Sequence, residues 1–76
     1  MSEWIPVKER VPKRGQTVVV CNDDGQIGIA RRNPNKLSYY QWQIAYCLYD
    51  YDIWDENDNG VIVAWMPRPK PYREED

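Results

Sequence analysis

The stretch from Thr17 to Arg31 constrains this chain more than any other. Thr17-Val18-Val19-Val20-Cys21 is β-branched and apolar, Asn22-Asp23-Asp24-Gly25 is a turn signal, and Gln26-Ile27-Gly28-Ile29-Ala30 leads back. Two such runs around such a turn predict a β-hairpin, with Gly25 free to supply a positive φ. A loop of two or of four residues puts Val18, Val20, Ile27 and Ile29 on one face. Val19, Cys21, Gly28 and Ala30 then share the other. That second face is a floor of small residues. It lets a flat ring approach the backbone, either a Trp of the protein itself or a ligand.

The flanking segments read as further strands and loops. Pro6 and Pro12 disfavour helix, so residues 2–14 are expected as an extended edge segment or a loop. Asn33-Pro34-Asn35 breaks the chain. From Trp42 to Tyr49 the pattern alternates at strand period: Trp42, Ile44, Tyr46 and Leu48 on one side, Gln43, Ala45, Cys47 and Tyr49 on the other. Residues 38–48 also tolerate helix, and any helix is expected to be short and near residues 36–46. Residues 50–60 read as an acidic loop carrying Trp54. Val61 to Met66 reads as a last strand, with Val61, Val63 and Trp65 facing one way. Pro67, Pro69 and Pro71 enforce an extended course that ends the sheet, and residues 73–76 read as a frayed tail.

The expectation is therefore an all-β or β-rich α+β fold. One small domain, residues 1–72, would hold four to five short antiparallel strands around the central hairpin. At 76 residues the core is small, supplying roughly 3–5 kcal/mol, and a homo-oligomer is one remedy.

Composition excludes several functions. The formal net charge is −2, with ten basic and twelve acidic residues, which does not suit extended nucleic acid. The chain has no His, so no Ser-His or Cys-His pair can form. Cys21 and Cys47 alone make no metal set; they read as free, buried thiols, with a disulfide as the alternative. Asp55-x-Asn57-x-Asn59-Gly60 matches half of a calcium loop, but Met66 stands where the bidentate Glu is needed, so a solvated turn is the preferred reading. No enzyme activity, metal or cofactor is expected. The lack of a signal peptide or of a long apolar run points to a soluble protein of the cytoplasm, with no membrane partner.

The aromatic residues point to binding. There are four Trp, six Tyr and no Phe, so every ring carries a polar handle, as rings at half-wet surfaces do. Trp42 and Tyr46 are expected in the core, with Trp4 and Trp65 clamping the two ends of a sheet. Tyr39, Tyr40, Tyr49, Tyr51 and Trp54 are more than so small a core can hold, and are the candidates for stacking on a ligand. Arg31, Arg32 and Arg68 are the candidates for holding phosphates.

Trp4-Ile5-Pro6-Val7, Glu9-Arg10-Val11-Pro12, Gly15-Gln16-Thr17-Val18-Val19-Val20, Ile27-Gly28-Ile29-Ala30 and Trp65-Met66-Pro67-Arg68-Pro69 together resemble the phage and prophage domain of unknown function 551. Departures are Val11 and Arg68, where Leu is usual, and Ala64, where a His precedes Trp-Met-Pro. The resemblance implies a phage or prophage origin in a bacterial host cytoplasm and a compact β-rich domain, and it brings no catalytic residues. The leading expectation is a non-catalytic accessory protein that binds a small nucleotide-like ligand, sequestering a host defence signal. The alternative is an inhibitor or adaptor that docks on a host protein through the aromatic-acidic stretch.

Overall fold

The structure, a computed structural model, describes residues 3–47 and 50–69, without the side chain of Cys47. Among these residues six strands form one antiparallel sheet: β1 (Ile5–Pro6), β2 (Thr17–Asn22), β3 (Ile27–Arg32), β4 (Trp42–Cys47), β5 (Asp50–Ile53) and β6 (Ile62–Pro67), in the spatial order β1-β6-β2-β3-β4-β5. Strands β2 to β5 form a meander. The chain then returns to place β6 beside β2, passing through a single helical turn, α1 (Glu56–Asn59). The β-rich fold read from the sequence is what forms, with one strand more than expected. The extra strand is β5, in the stretch read as an acidic loop. Its Asp50 and Asp52 are exposed on the edge strand, where charge discourages pairing with another chain. The helix is α1, not a helix near residues 36–46, because the β-branched and aromatic residues of 42–47 pair with β3 instead.

The hairpin forms where expected but in another register. Val18 pairs with Ala30 and Val20 with Gly28. The backbone N–H of Asn22 donates to the Gln26 carbonyl at 3.0 Å, which leaves a three-residue loop, Asp23-Asp24-Gly25, ending in Gly25 at φ 83°. An odd loop flips the partner strand's faces relative to a loop of two or four. Val18 and Val20 therefore share their face with Gly28 and Ala30. Ile27 and Ile29 fall on the opposite face with Val19 and Cys21. Of the Gly/Ala floor, which lies on the core side, Ala30 joins the cluster that includes Trp65 and Trp54, while Gly28 has open space above it.

Two irregularities break strand period elsewhere. Between β4 and β5 the register shifts between Ala45 and Cys47, so Tyr46 has no partner and is 63 % exposed rather than in the core. Between β2 and β6 it shifts between Cys21 and Asn22, which puts both Ile62 and Trp65 in the core and leaves Val61 and Val63 exposed. Val63 is not orphaned: its carbonyl accepts from the Val7 N–H at 3.0 Å.

The buried apolar residues are Val18, Val20, Ala30, Trp54, Ile62 and Trp65, with Ile5, Val7, Trp42 and Ile44 packed against them. Each fully buried Val contributes about 1.5–3 kcal/mol. The indole of Trp65 donates to the Arg10 carbonyl at 2.9 Å, which ties the N-terminal segment over this face. Ile5 pairs with Trp65, so Trp4 and Trp65 lie together at one edge of the sheet instead of clamping its two ends. The other face of the sheet carries Ile27, Ile29 and Ile53, all exposed, and no described element packs over it. Cys21 is a free thiol on that face and half-buried, not buried. Leu48, Tyr49, Pro71 and the tail 73–76 lie outside the described residues, as does the thiol of Cys47.

Candidate functional site

A cleft of about 470 Å³ opens at the β4 side of the core face, lined by Tyr39, Tyr40, Gln41, Trp42, Trp54, Asp55, Glu56 and Asn57. One wall is the loop between β3 and β4. Asn33 shapes it from within: its side-chain amide donates to the Tyr40 carbonyl at 2.8 Å, and its Oδ1 accepts from the Asn35 N–H at 2.9 Å. Asn33 is itself buried, so the loop hangs on a satisfied interior polar group. The Tyr39 and Tyr40 rings meet edge to face at 5.1 Å, a favoured geometry for aromatic pairs. Tyr39 is 88 % exposed and Tyr40 38 %.

The opposite wall begins at Trp54. Its backbone N–H donates to the Trp42 carbonyl at 3.1 Å and its indole to the Gly60 carbonyl at 2.7 Å. Trp54 was expected as an exposed stacking ring, but it is buried in the core and shows the cleft only its margin. The indole handle that suggested exposure is used to close the loop. Asp55 is the N-cap of α1, its Oδ1 accepting from the Asn57 N–H at 3.0 Å. The half calcium pattern is thus a capped helical turn ending at Gly60.

Behind Trp42 lies a pair of cations. The Arg32 guanidinium sits 5.7 Å from the Trp42 ring centroid, within cation–π range. Arg32 is buried, and its Nε has no hydrogen-bond partner among the described residues. Burial first, and then the charge of Arg14, hold its pKa below the usual value. Arg14 bridges Arg32 through the backbone, and its Nη1 donates to the Asn33 carbonyl and to Gln41 Oε1, both at 3.2 Å. Gln41 in turn lines the cleft. Among the described residues no carboxylate pairs with either arginine.

The sequence-predicted site therefore divides. Tyr39, Tyr40 and Trp54 come together in the cleft, with Arg32 beside it. Arg31 and Tyr51 lie on the other face of the sheet, stacked on each other at 3.7 Å, with Arg31 Nε donating to Gln43 Oε1 at 2.6 Å. Arg68 follows β6, which β2 and β3 separate from β4, so it does not share the cleft. Tyr49 is outside the described residues. Sequence reading missed Arg14, Gln41, Asp55, Glu56 and Asn57 as site neighbours. Only the chain reversal after β5 brings 55–57 opposite 39–42, and no local pattern signals that.

Among the described residues, fold and cleft define a small single-sheet β domain with an aromatic, charge-lined opening on its covered face. The chain belongs to the DUF551 family of proteins of unknown function, which it matches over residues 3–72. No curated protein and no solved structure matches it.

Proposed function

We propose that this protein is a non-catalytic binding protein whose cleft holds a small ligand with a flat ring and an anionic group, a nucleotide-like molecule. The carrying observation is the buried Arg32, with no carboxylate partner among the described residues, its guanidinium 5.7 Å from the ring of Trp42, which lines the cleft. A buried charge without a counter-ion is costly, and an incoming anion relieves that cost. The volume of about 470 Å³ falls within the ~300–1,000 Å³ range of small-molecule sites. Tyr39 and Tyr40 offer the stacking faces. Asp55, Glu56 and Asn57 offer acceptors for ring amino groups or sugar hydroxyls. Arg14, bonded to the lining residue Gln41, and Arg32, against the lining ring of Trp42, are the cations that a phosphate entering past those side chains would meet. In the phage or prophage setting that the family resemblance implies, capture of a host defence nucleotide in the bacterial cytoplasm is the use that needs no catalysis.

Titration with AMP and with a cyclic dinucleotide, followed by the indole N–H signals of the four Trp residues, tests this. The Trp42 and Trp54 signals should move while that of Trp65 stays. Arg32→Met should weaken binding about 10- to 100-fold, the worth of one charge-assisted hydrogen bond to an anion. Because the variant removes a buried charge that has no carboxylate partner among the described residues, and Met keeps an apolar contact with Trp42, its urea midpoint should not fall, which separates lost binding from lost folding. Unmoved indoles with both ligands would sink the reading.

A protein partner is the second reading, and Tyr39 favours it. At 88 % exposure this ring stands at the rim of the cleft, which exposed Glu56 also lines, as an anchor for a basic partner would. Retention of one host protein by the unmutated chain, lost with Tyr39→Ala but kept with Arg32→Met, would favour docking over ligand capture.

A further inference from the structure

The face of the sheet opposite the cleft is apolar and uncovered. Val19, Ile27, Ile29, Ala45, Ile53 and Met66 share it by register, spread over the five long strands. Ile27 is 67 % exposed, Ile53 47 % and Ile29 39 %. Arg31 is the one charged side chain that register places on this face among the described strand residues. Its guanidinium is already engaged by the Tyr51 ring and Gln43. The covering segments lie on the core face alone, and an antiparallel sheet whose second face is this apolar has more surface to bury than one copy covers.

We infer that this face pairs with the same face of a second copy of the chain, making a two-layer β-sandwich from two single sheets. Three arguments select a second copy. The first is area. Four strands of six residues and one of four, about 4.8 Å apart at ~3.3 Å per residue, give a face of roughly 440 Å² in plan. Two such faces cover about 900 Å² together in plan, and side-chain relief brings the buried area to the ~1,000 Å² of a biological interface. One such face is the size of the largest apolar patch on a typical monomer, ~300–600 Å², and patches of that size are often functional. The second is charge. Arg31 lies in the end row of the face with Thr17 and Gln43. A two-fold axis running across the strands then places the two copies' Arg31 residues at opposite ends, so the face does not repel itself. The third is core size. Among the described residues the buried apolar set is six side chains, small even for a short domain. The dyad leaves both clefts open, because they lie on the outer faces of the sandwich.

Sedimentation equilibrium from about 1 µM to about 1 mM protein, the range in which an interface of this size assembles, tests the inference. The mass should rise from 9.1 kDa to twice that value as concentration increases. Ile29→Asp and, separately, Ile27→Asp should weaken the dimer at least ~10-fold. Both positions are exposed within one copy, so folding survives, and circular dichroism checks it. Leu37→Asp, 86 % exposed outside the face, should change nothing. Alkylation of Cys21, read apart from Cys47 by peptide mass, should slow as concentration rises. A mass of 9.1 kDa across the range, or a dimer as tight with both Asp variants as without, overturns the inference. The readouts are independent of ligand binding, so failure here and failure of the cleft reading are distinguishable.

Discussion

Asn22 shows how much a single side chain can organise in so small a protein. It is the last residue of β2 and only 4 % exposed. Its Oδ1 accepts from the Asp24 and Gln26 N–H groups at 3.0 and 2.8 Å, which builds the hairpin loop. Its Nδ2 donates to Gln26 Oε1 and to the Asn59 carbonyl, both at 2.9 Å, which fastens α1 to that loop. All its bonding capacity is used in a dry place, so truncation strands several groups at once. Asn22→Ala should cost about 2–4 kcal/mol in urea unfolding, counting two loop N–H groups and one carbonyl. Asn22→Asp is the sharper probe. It keeps shape and both accepted bonds but turns two donors into acceptors facing oxygen, and it should cost at least ~2 kcal/mol. A loss under ~0.5 kcal/mol would show that water satisfies these groups. In the sequence Asn22 was legible only as a turn residue. Its second task depends on residue 59, and no local pattern reports that contact.

At the scale of elements, the sequence located strands better than it oriented them. The apolar β-branched runs place β2, β3, β4 and β6 correctly because strand propensity is local. Register is not local. It turned on whether Asn22 and Gln26 pair, and the three-residue loop reversed the facing of Ile27 and Ile29. The shifts beside Tyr46 and Val63 likewise escape an alternation rule. The cleft was half legible: the aromatic surplus marked Tyr39 and Tyr40, while the facing Asp55-Glu56-Asn57 wall arises from the turn at α1. That turn ends in Gly60 at φ 81°, ψ 176°, a region open essentially to Gly. A Cβ there would lie 2.8 Å from Asp23 Oδ1 and 2.9 Å from Asn22 Nδ2, the groups that hold the two loops together. Gly25 also has positive φ, 83°, but open space around it. Gly25→Ala should therefore cost about 1 kcal/mol, the conformational penalty alone. Gly60→Ala should cost roughly 2–4 kcal/mol, because strain and displacement of buried Asn22 add. Equal losses at the two sites in urea titrations would mean that α1 relaxes freely and that the Asn22 link is weak.

The whole molecule is one sheet dressed on one side. Its Cα extents are 46 × 31 × 21 Å, the proportions of a slab. The N-terminal segment and the return through α1 cover the core face, and the six apolar side chains buried there do not fill a second layer. Such a slab gains its missing burial only from a second body, and if that body is a copy, stability becomes a property of concentration. The size of the effect follows from mass action. A tenfold rise in protein adds about 1.4 kcal/mol per dimer, or ~0.7 kcal/mol per chain. For a domain of this length each kcal/mol moves the melting temperature by roughly 4–8 °C, so a tenfold rise should raise Tm by about 3–6 °C. Calorimetry over two decades of concentration, with Ile29→Asp alongside, reads it directly. The unmutated chain should climb, and the variant should melt lower and begin to climb only at a concentration at least ~10-fold higher. A flat Tm for both would place the stabilising interactions within one copy. The exposed isoleucines would then be surplus to folding, and the covered face alone would have to hold the sheet.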